Sequence, residues 1–231
     1  MKPIDGMEMT LISDRLIGLI DTLLLCLGLT MTIAAIAPLL ESVTAPTEQV
    51  RGAIQRVLRI IDDPELRGEM RQADRRTAIR KVAHELFDYA EITKRSIGHH
   101  WQQRTAAERE ELVTLFGDLL ERTYVSRIEV YSGEKIAYVG ESVETDQAVV
   151  RTRIVTRQGT EIPVDYRMLA HGTRWQAYDV TIEGVSLVAN YRSQFNKILQ
   201  TGNYPELIKR LRIKLEERTD PTDVKARAAN N

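Results

Sequence analysis

Two aspartates on predicted strands are the side chains of this sequence that come nearest to acid–base chemistry. Asp165 and Asp179 each stand beside a tyrosine, Tyr166 and Tyr178. Neighbouring side chains of a strand point to opposite faces of the sheet, so neither aspartate shares a site with its own tyrosine. One interpretation makes Asp165 or Asp179 the general base of an enzyme pocket. The interpretation we favour is a structural carboxylate that is satisfied by hydrogen bonds.

The histidines and the single cysteine do not have the spacing of a metal site. His99 and His100 are adjacent, so on a helix their side chains point about 100° apart, and His84 and Glu85 have the same geometry. Cys26 has no second cysteine as a partner. The sequence also lacks a glycine-rich phosphate loop, a GxSxG motif and an HExxH motif. We therefore predict no catalytic residue, no metal ion and no cofactor.

One short segment carries the most concentrated positive charge of the chain. Its six cations are Arg67, Arg71, Arg75, Arg76, Arg80 and Lys81, set against the two acids Glu69 and Asp74. Such a run is commonly the solvated face of a helix, and it can also be a docking patch for anionic headgroups or an acidic partner. Because the net charge of the whole chain is only -1, no general positive field indicates nucleic acid as a partner.

An apolar run near the start of the chain predicts export from the cytoplasm. Residues 16–40 are almost continuously apolar, interrupted by Asp21 and Pro38. A run of this length and position is typical of a signal peptide or a membrane anchor, and less so of a buried helix of the domain. We interpret residues 1–45 as one or the other. The domain that follows would then lie in the periplasm, free after cleavage or tethered to the inner membrane without it.

The rest of the chain has the pattern of helices, then strands, then helices. Helical spacing begins at Thr47, and Thr105 and Glu108 form a capping box at the start of a long helix. Further along, the apolar period changes to two, which predicts strands joined by short turns. The four predicted strands are Lys135–Val143, Ala148–Arg157, Glu161–Ala170 and Arg174–Glu183.

The strands and helices together indicate the fold class. Two more helices are predicted after the strands, one at Val185–Leu199 and one that starts at Tyr204. The class is therefore α+β, with a curved four-stranded antiparallel sheet and helices covering one of its faces. We expect this domain to span residues 46–218. The polar tail, residues 219–231, is predicted to be disordered.

Alternation along the strands separates a dry face of the sheet from a wet one. The dry face carries Val150, Thr152 and Ile154, then Ile162, Val164, Tyr166 and Met168, then Tyr178, Val180 and Ile182. The helices add inward-facing side chains at Phe116, Leu120, Tyr124, Val188, Tyr191 and Phe195. Periodicity fits a solid core and a hollow one equally well. A membrane-anchored structural adaptor with an ordinary core is therefore an alternative.

A set of short motifs in a fixed order carries a family resemblance. They are Phe87-Asp88-Tyr89, Gly98-His-His-Trp101, Thr105-Ala-Ala-Glu-Arg109, Ile162-Pro-Val-Asp-Tyr166, Trp175 with Tyr178-Asp-Val180, Glu183-Gly-Val-Ser-Leu187 and Tyr191-Arg-Ser-Gln-Phe195. With these motifs the sequence resembles the MlaC family, the toluene-tolerance type of periplasmic phospholipid-binding proteins. The resemblance spans about residues 47 to 215.

The resemblance implies a fold, a ligand and partners. The fold would be related to the NTF2-like and cystatin-like types, with the acyl chains of a phospholipid held in an apolar cavity between sheet and helices. The protein would carry lipid between an outer-membrane lipoprotein complex and the MCE-domain protein of an inner-membrane ABC transporter. It would thereby maintain the lipid asymmetry of the outer membrane and do no covalent chemistry. An enzyme on an NTF2-like fold, with a pocket aspartate as its base, is the alternative.

The expected lipid-binding residues combine this resemblance with the faces assigned above. They are Phe116, Leu120, Tyr124, Val150, Ile154, Val164, Tyr166, Met168, Tyr178, Val180, Val188, Tyr191 and Phe195. A shift of one residue in strand register would move every strand member of this set to the other face.

Overall fold

The computed structural model describes residues 45–129, 131 and 133–217, and of Ser126, Arg127 and Glu217 it describes the backbone alone. Residues 1–44 of the predicted export segment and the predicted tail 219–231 lie outside these ranges. No helix within the described ranges has the length and hydrophobicity that are needed to cross a bilayer.

The described chain contains four α-helices before the strands and two after them. In chain order they are α1 (Pro46–Asp62), α2 (Gln72–Leu86), α3 (Tyr89–Ile97), α4 (Ala106–Ile128), α5 (Leu187–Thr201) and α6 (Tyr204–Glu217). Three short 3-10 turns lie at Pro64–Leu66, Glu69–Arg71 and Gly98–Gln103. The predicted order of helices, strands and helices is confirmed.

Side-chain caps fix the starts of α3 and α4, and the sequence predicts the one at α4. At α4 the Glu108 N–H donates to Thr105 Oγ1 at 3.2 Å, and the Thr105 N–H donates to the Glu108 carboxylate at 2.8 Å. This is the predicted capping box. At α3 the Asp88 carboxylate accepts the Glu91 N–H at 2.8 Å. Both caps satisfy backbone donors that the first helical turn leaves unpaired.

All strands belong to one antiparallel sheet. They are β1 (Lys135–Glu144), β2 (Gln147–Val155), β3 (Glu161–His171), β4 (Arg174–Ile182) and β5 (Val185–Ser186), and each pairs with the next in chain order. The α+β class and the helix-covered face are confirmed. The count of four strands is wrong, because β5 adds a short fifth strand at the edge.

The fifth strand arises from a tight turn after β4. Glu183 and Gly184 both have positive φ, at 49° and 82°, which suits a two-residue hairpin turn. The chain therefore reverses at once, and Val185 pairs with Ile182. The helix predicted from Val185 begins two residues later, with Ser186 as its N-cap.

A bulge in β4 breaks the alternation on which the face assignment depended. Arg167 pairs with Asp179 whereas Met168 pairs with Ala177, so Tyr178 is the extra residue of β4. The prediction that Tyr178 continues the row of Val180 is therefore wrong. Its ring lies instead under the guanidinium of Arg95 in α3, 4.1 Å from the ring centroid.

Buried apolar side chains form two separate cores. What we call the sheet core joins α1, α2 and the sheet through Val50, Ala53, Val82, Leu86, Ala148, Val150, Met168, Trp175 and Ala177. What we call the helical core joins α3 to α6 through Ile92, Ile97, Leu112, Phe116, Leu119, Leu120, Val188, Phe195, Tyr204, Leu207, Ile208, Leu211 and Leu215. Phe87, between α2 and α3, packs against both cores.

Candidate lipid-binding cavity

A cavity of about 590 Å³ lies between the dry face of the sheet and helices α1, α2 and α4. Its helical walls include Ala53, Ile54, Val57, Leu58, Ile61, Ile79, Val82, Ala83, Leu86, Leu120, Glu121, Tyr124, Val125 and Ile128. Its sheet wall includes Ile136, Thr152, Ile154, Thr156, Ile162, Val164, Tyr166, Asp179, Val180 and Ile182. The volume falls within the range of ligand pockets, roughly 300–1,000 Å³.

The hollow occupies one end of the sheet, and the sheet core fills the other end. Ile136, Ile154 and Ile162 lie side by side on three neighbouring strands, where β1 begins, β2 ends and β3 begins. All three line the cavity and are only half-buried. Ile182, at the same end, is among the most exposed large apolar residues of the described chain. The cavity therefore opens towards solvent through an aliphatic rim.

The polar groups within the sheet wall are neutral or already bonded. The Thr152 hydroxyl donates to the Val164 carbonyl at 2.8 Å. Burial raises the pKa of Tyr166 to about 12, with a smaller contribution from nearby Tyr138, so the phenol stays protonated at physiological pH. A wall of this kind offers van der Waals contact and apolar surface rather than charge, and it suits hydrocarbon chains.

Glu121 is the most deeply buried acid of the helical wall. Its carboxylate lies 2.8 Å from His84 Nε2 and 3.3 Å from Arg80 Nε, and it also accepts a hydrogen bond from the Tyr89 hydroxyl. Burial raises the pKa of Glu121, and His84 and Arg80 act in the opposite direction without cancelling it. Burial, followed by the nearby Glu121 charge, also raises the pKa of Tyr89.

Comparison with known proteins identifies the family. A family model described as MlaC protein matches residues 51–213, more than half of the chain. The chain belongs to the MlaC family. This confirms the resemblance carried by the ordered motifs.

Two relatives can be compared with this MlaC-family chain. The intermembrane phospholipid transport system binding protein MlaC of Haemophilus influenzae is 24% identical over an alignment of 138 residues, and the alignment covers 56% of this chain and 64% of that protein. The match thus spans slightly less than two thirds of that curated relative. A phospholipid-binding protein from Ralstonia solanacearum, solved in complex with a phospholipid, has a TM-score of 0.68 at 24% identity, covering 77% of this chain and 100% of that one. At this identity the structural likeness shows a common fold.

The structure brings about half of the expected lipid-binding residues to the cavity of this MlaC-family domain. Those that line it are Leu120, Tyr124, Ile154, Val164, Tyr166 and Val180. They come from α4, β2, β3 and β4, so the choice of faces was correct at these positions.

The other seven expected residues lie elsewhere. Val150 and Met168 are fully buried in the sheet core, because they lie on the correct face but at the filled end of the sheet. Val188 lies in the helical core, and Tyr178 occupies the β4 bulge. Phe116, Tyr191 and Phe195 pack against one another with ring centroids 4.8 to 5.8 Å apart. Tyr191 and Phe195 also line a second groove, of about 550 Å³, between α5 and α6.

The wall contributed by α1 and α2 was missing from the expected set. Ile54, Val57, Leu58 and Ile61 show helical spacing in the sequence, which indicates a buried face. Nothing in that spacing says whether the face meets another side chain or a hollow. Only the distance between α1 and the sheet makes these residues part of the cavity.

The two candidate general bases are not brought together. Asp179 lines the cavity, but its carboxylate accepts the Ser186 hydroxyl at 2.6 Å and the Val188 N–H at 3.0 Å. It thus holds the start of α5, which is the structural role that we favoured. Asp165 lies opposite Arg151 of β2 in the strand register, one position before Tyr166, which faces the cavity.

The two adjacent histidines contact each other, and most cations of the basic segment pair with carboxylates. The rings of His99 and His100 lie 3.9 Å apart, and the described residues contain no group of three side chains that could hold a metal ion. In the basic segment Arg71 pairs with Asp74 and Arg80 with Glu121 of α4. Arg75 and Arg76 pair with Glu129, the C-cap of α4.

Proposed function

We propose that this MlaC-family protein encloses the acyl chains of a phospholipid in the cavity and carries the lipid through the periplasm. The apolar hollow between sheet and helices is the observation that carries this proposal. The family membership and the printed description of the Ralstonia protein as phospholipid-binding support it. Both relatives are described as binding or transport proteins, which agrees with carriage without covalent chemistry.

The physical need for such a hollow follows from the cost of exposing hydrocarbon. Two chains of about 16 carbons each lose on the order of 20 kcal/mol when they leave an apolar phase for water, at about 0.8 kcal/mol per CH₂. A carrier must therefore offer walls nearly as apolar as a bilayer. Exchange with a membrane protein is then close to balanced, and a partner must supply the direction.

The partners and the location belong to the same proposal. We infer that the protein exchanges lipid with the MCE-domain protein of an inner-membrane ABC transporter and with an outer-membrane lipoprotein complex. This exchange would maintain the lipid asymmetry of the outer membrane. The name of the Haemophilus relative, an intermembrane phospholipid transport system binding protein, supports this inference. Residues 1–45 would direct export, and sequencing the N-terminus of the mature protein distinguishes a cleaved signal from an uncleaved anchor.

Native mass spectrometry with lipid extraction tests the proposal on the purified full chain. We expect phospholipid to copurify, and absence of phospholipid from well-folded protein would contradict carriage. Val57→Trp fills the hollow from α1 and should reduce the lipid bound per protein severalfold. The matched control is Gln55→Trp, which places the same side chain on the exposed face of α1 and should leave lipid content unchanged.

A further inference from the structure

The cavity separates the two apolar cores, and helices on its two sides belong to different cores. α2 joins the sheet core through Val82 and Leu86, whereas α4 joins the helical core through Leu112, Phe116 and Leu119. Both helices nevertheless line the same cavity. The two helices therefore share neither of the two cores, and polar contacts help to hold α2 against α4.

Two clusters of ion pairs bridge α2 and α4, and we call this line of contact the α2–α4 seam. Glu129 accepts from Arg75 Nη2 at 3.2 Å and from Arg76 Nε at 2.9 Å. Glu121, two helical turns earlier on α4, faces Arg80 and His84. The four partners, three arginines and one histidine, come from α2, whereas Glu121 belongs to α4 and Glu129 is the C-cap of α4.

The seam is layered from solvent to cavity. The side chains of Arg76, Arg80 and His84 remain 39%, 42% and 63% exposed, whereas those of Glu129 and Glu121 are only 7% and 5% exposed. Glu121 itself lines the cavity. On this flank a single polar layer thus lies between the hollow and water.

The chain between α2 and α3 has the form of a hinge. Phe87 packs against both cores and adopts an extended conformation, with φ −104° and ψ 135°. The next residue, Asp88, is tied to the sheet by its N–H, which donates to the Ala177 carbonyl at 3.0 Å. The C-terminal end of α2 is thereby anchored, whereas Arg75, Arg76, Arg80 and His84 join the helix to Glu121 and Glu129 along its length.

We propose that the α2–α4 seam is a lateral gate through which both acyl chains enter and leave the cavity. α2 swings away from α4 about Phe87 when the ion pairs open, and Glu121 and Glu129 close the gate again. The inference rests on the proposed function, since it assumes a double-chained lipid in the cavity. It goes further by naming the path of the chains and the residues that control it.

The balance of forces favours opening at this flank over separation of either apolar core. Separating apolar surfaces costs free energy in proportion to their area, whereas partly exposed ion pairs are weak and their ions regain hydration when they part. Burying a carboxylate is itself costly, and opening the seam returns Glu121 and Glu129 to water. The raised pKa of Glu121 is consistent with this, because burial outweighs the attraction of its cations.

The test measures transfer of a fluorescent phospholipid between the full chain and phosphatidylcholine vesicles. These vesicles have no net charge, so neutralising carboxylates of the protein does not change its attraction to them. Glu121→Gln combined with Glu129→Gln should speed transfer about fivefold relative to the wild type. High salt should speed the wild type and leave this double variant unaffected.

Glu111→Gln is the matched control for the seam variants. It also breaks an ion pair of α4, the 2.7 Å contact with Arg212, but that pair joins α4 to α6 at the exposed surface, outside the cavity lining. Its transfer rate should equal that of the wild type. Equal rates in the control and in the seam variants, with all proteins folded, would overturn the gate.

Two further variants keep the inference testable if the carboxylate variants fail to fold. Arg76→Gln and Arg80→Gln weaken the seam from its exposed side and should also speed transfer. In a Cys26→Ser background, a reducible bismaleimide between cysteines introduced by Arg76→Cys and Glu129→Cys should block transfer until it is reduced. Transfer at the wild-type rate through this link would refute the gate. Loss of all lipid binding in every variant and in the wild type would instead refute the proposed function.

Discussion

At the scale of single residues, burial alone does not tell a cavity wall from a packed core. Phe195 is buried and touches Phe116 and Tyr191, so its ring has partners on several sides. Leu58 is half-buried and faces the hollow. The two side chains are both apolar and both inward, and yet they should contribute very differently to stability.

Truncation of these residues should expose the difference. Phe195→Ala leaves a void inside the helical core, and we expect it to lower the free energy of unfolding by about 3–5 kcal/mol. Leu58→Ala only enlarges an existing hollow, so its cost in lipid-free protein should be about 1 kcal/mol. Urea denaturation of delipidated protein measures both. A similar loss for the two variants would argue that the region around Leu58 is solid.

A pH titration of stability should reveal the buried Glu121. Because its pKa is raised in the folded state, the folded protein binds this proton more tightly than the unfolded chain. The unfolding free energy contributed by Glu121 therefore falls as pH rises above the ordinary glutamate value of about 4.3. Glu121→Gln removes this loss, so the difference in stability between variant and wild type should move in favour of the variant from pH 4 to pH 7.

Glu206 supplies a control of opposite sign for that titration. A hydrogen bond from Arg210 lowers the pKa of Glu206, so its stabilising effect is present above the unfolded value and is lost as pH falls through the folded value. The stability of the Glu206→Gln variant relative to the wild type should therefore fall as pH rises over the same range. Urea midpoints at pH 4, 5, 6 and 7 give the pH dependence of stability for each variant relative to the wild type. The same sign for Glu121→Gln and Glu206→Gln would contradict the opposite pKa shifts of the two glutamates.

At the scale of elements, the junction of β4, β5 and α5 depends on one carboxylate. Asp179 accepts hydrogen bonds from the Ser186 hydroxyl and the Val188 N–H, and Ser186 in turn caps α5 by accepting the Ala189 N–H at 3.0 Å. The hairpin turn and the helix start are thus held by the same small network. The network explains why an aspartate can lie in an apolar wall without taking part in chemistry.

Removing this carboxylate should affect stability rather than lipid transfer. Asp179→Ala leaves the Val188 N–H without its partner and should cost about 1–3 kcal/mol. Asp179→Asn keeps an acceptor oxygen and should cost less. Vesicle transfer by the folded fraction of each variant should match the wild type. Abolished transfer by a fully folded Asp179→Asn protein would favour the general-base hypothesis instead.

At the scale of the whole molecule, two solid cores surround a hollow that a ligand is expected to fill. A ligand that binds only the folded state stabilises it by mass action. Bound lipid should therefore stabilise a protein that has a large apolar cavity. Removal of lipid should therefore lower Tm by several degrees, and added phospholipid should restore it. The Val57→Trp variant, whose cavity is filled by the indole, should show little change in Tm when lipid is removed. Calorimetry of the two proteins, before and after extraction, checks this outcome.

The sequence by itself determined the layers of this molecule. Periods of 3.6 and two located most helices and strands within one or two residues, and the Thr105 capping box marked the start of α4. Alternation placed Ile154, Val164 and Tyr166 on the correct face of the sheet. These features are local, because each depends on neighbours a few positions away along the chain.

Only the tertiary structure decided where the interior is hollow. Val150 and Ile154 share one strand and one face, but α1 and α2 fill the space above the first and leave the second facing the cavity. The β4 bulge and the two-residue strand β5 also escaped the pattern, since each depends on backbone pairing between strands. Periodicity tells which way a side chain points. The distance to the opposing layer, which makes a wall or a core, is set by how whole elements pack.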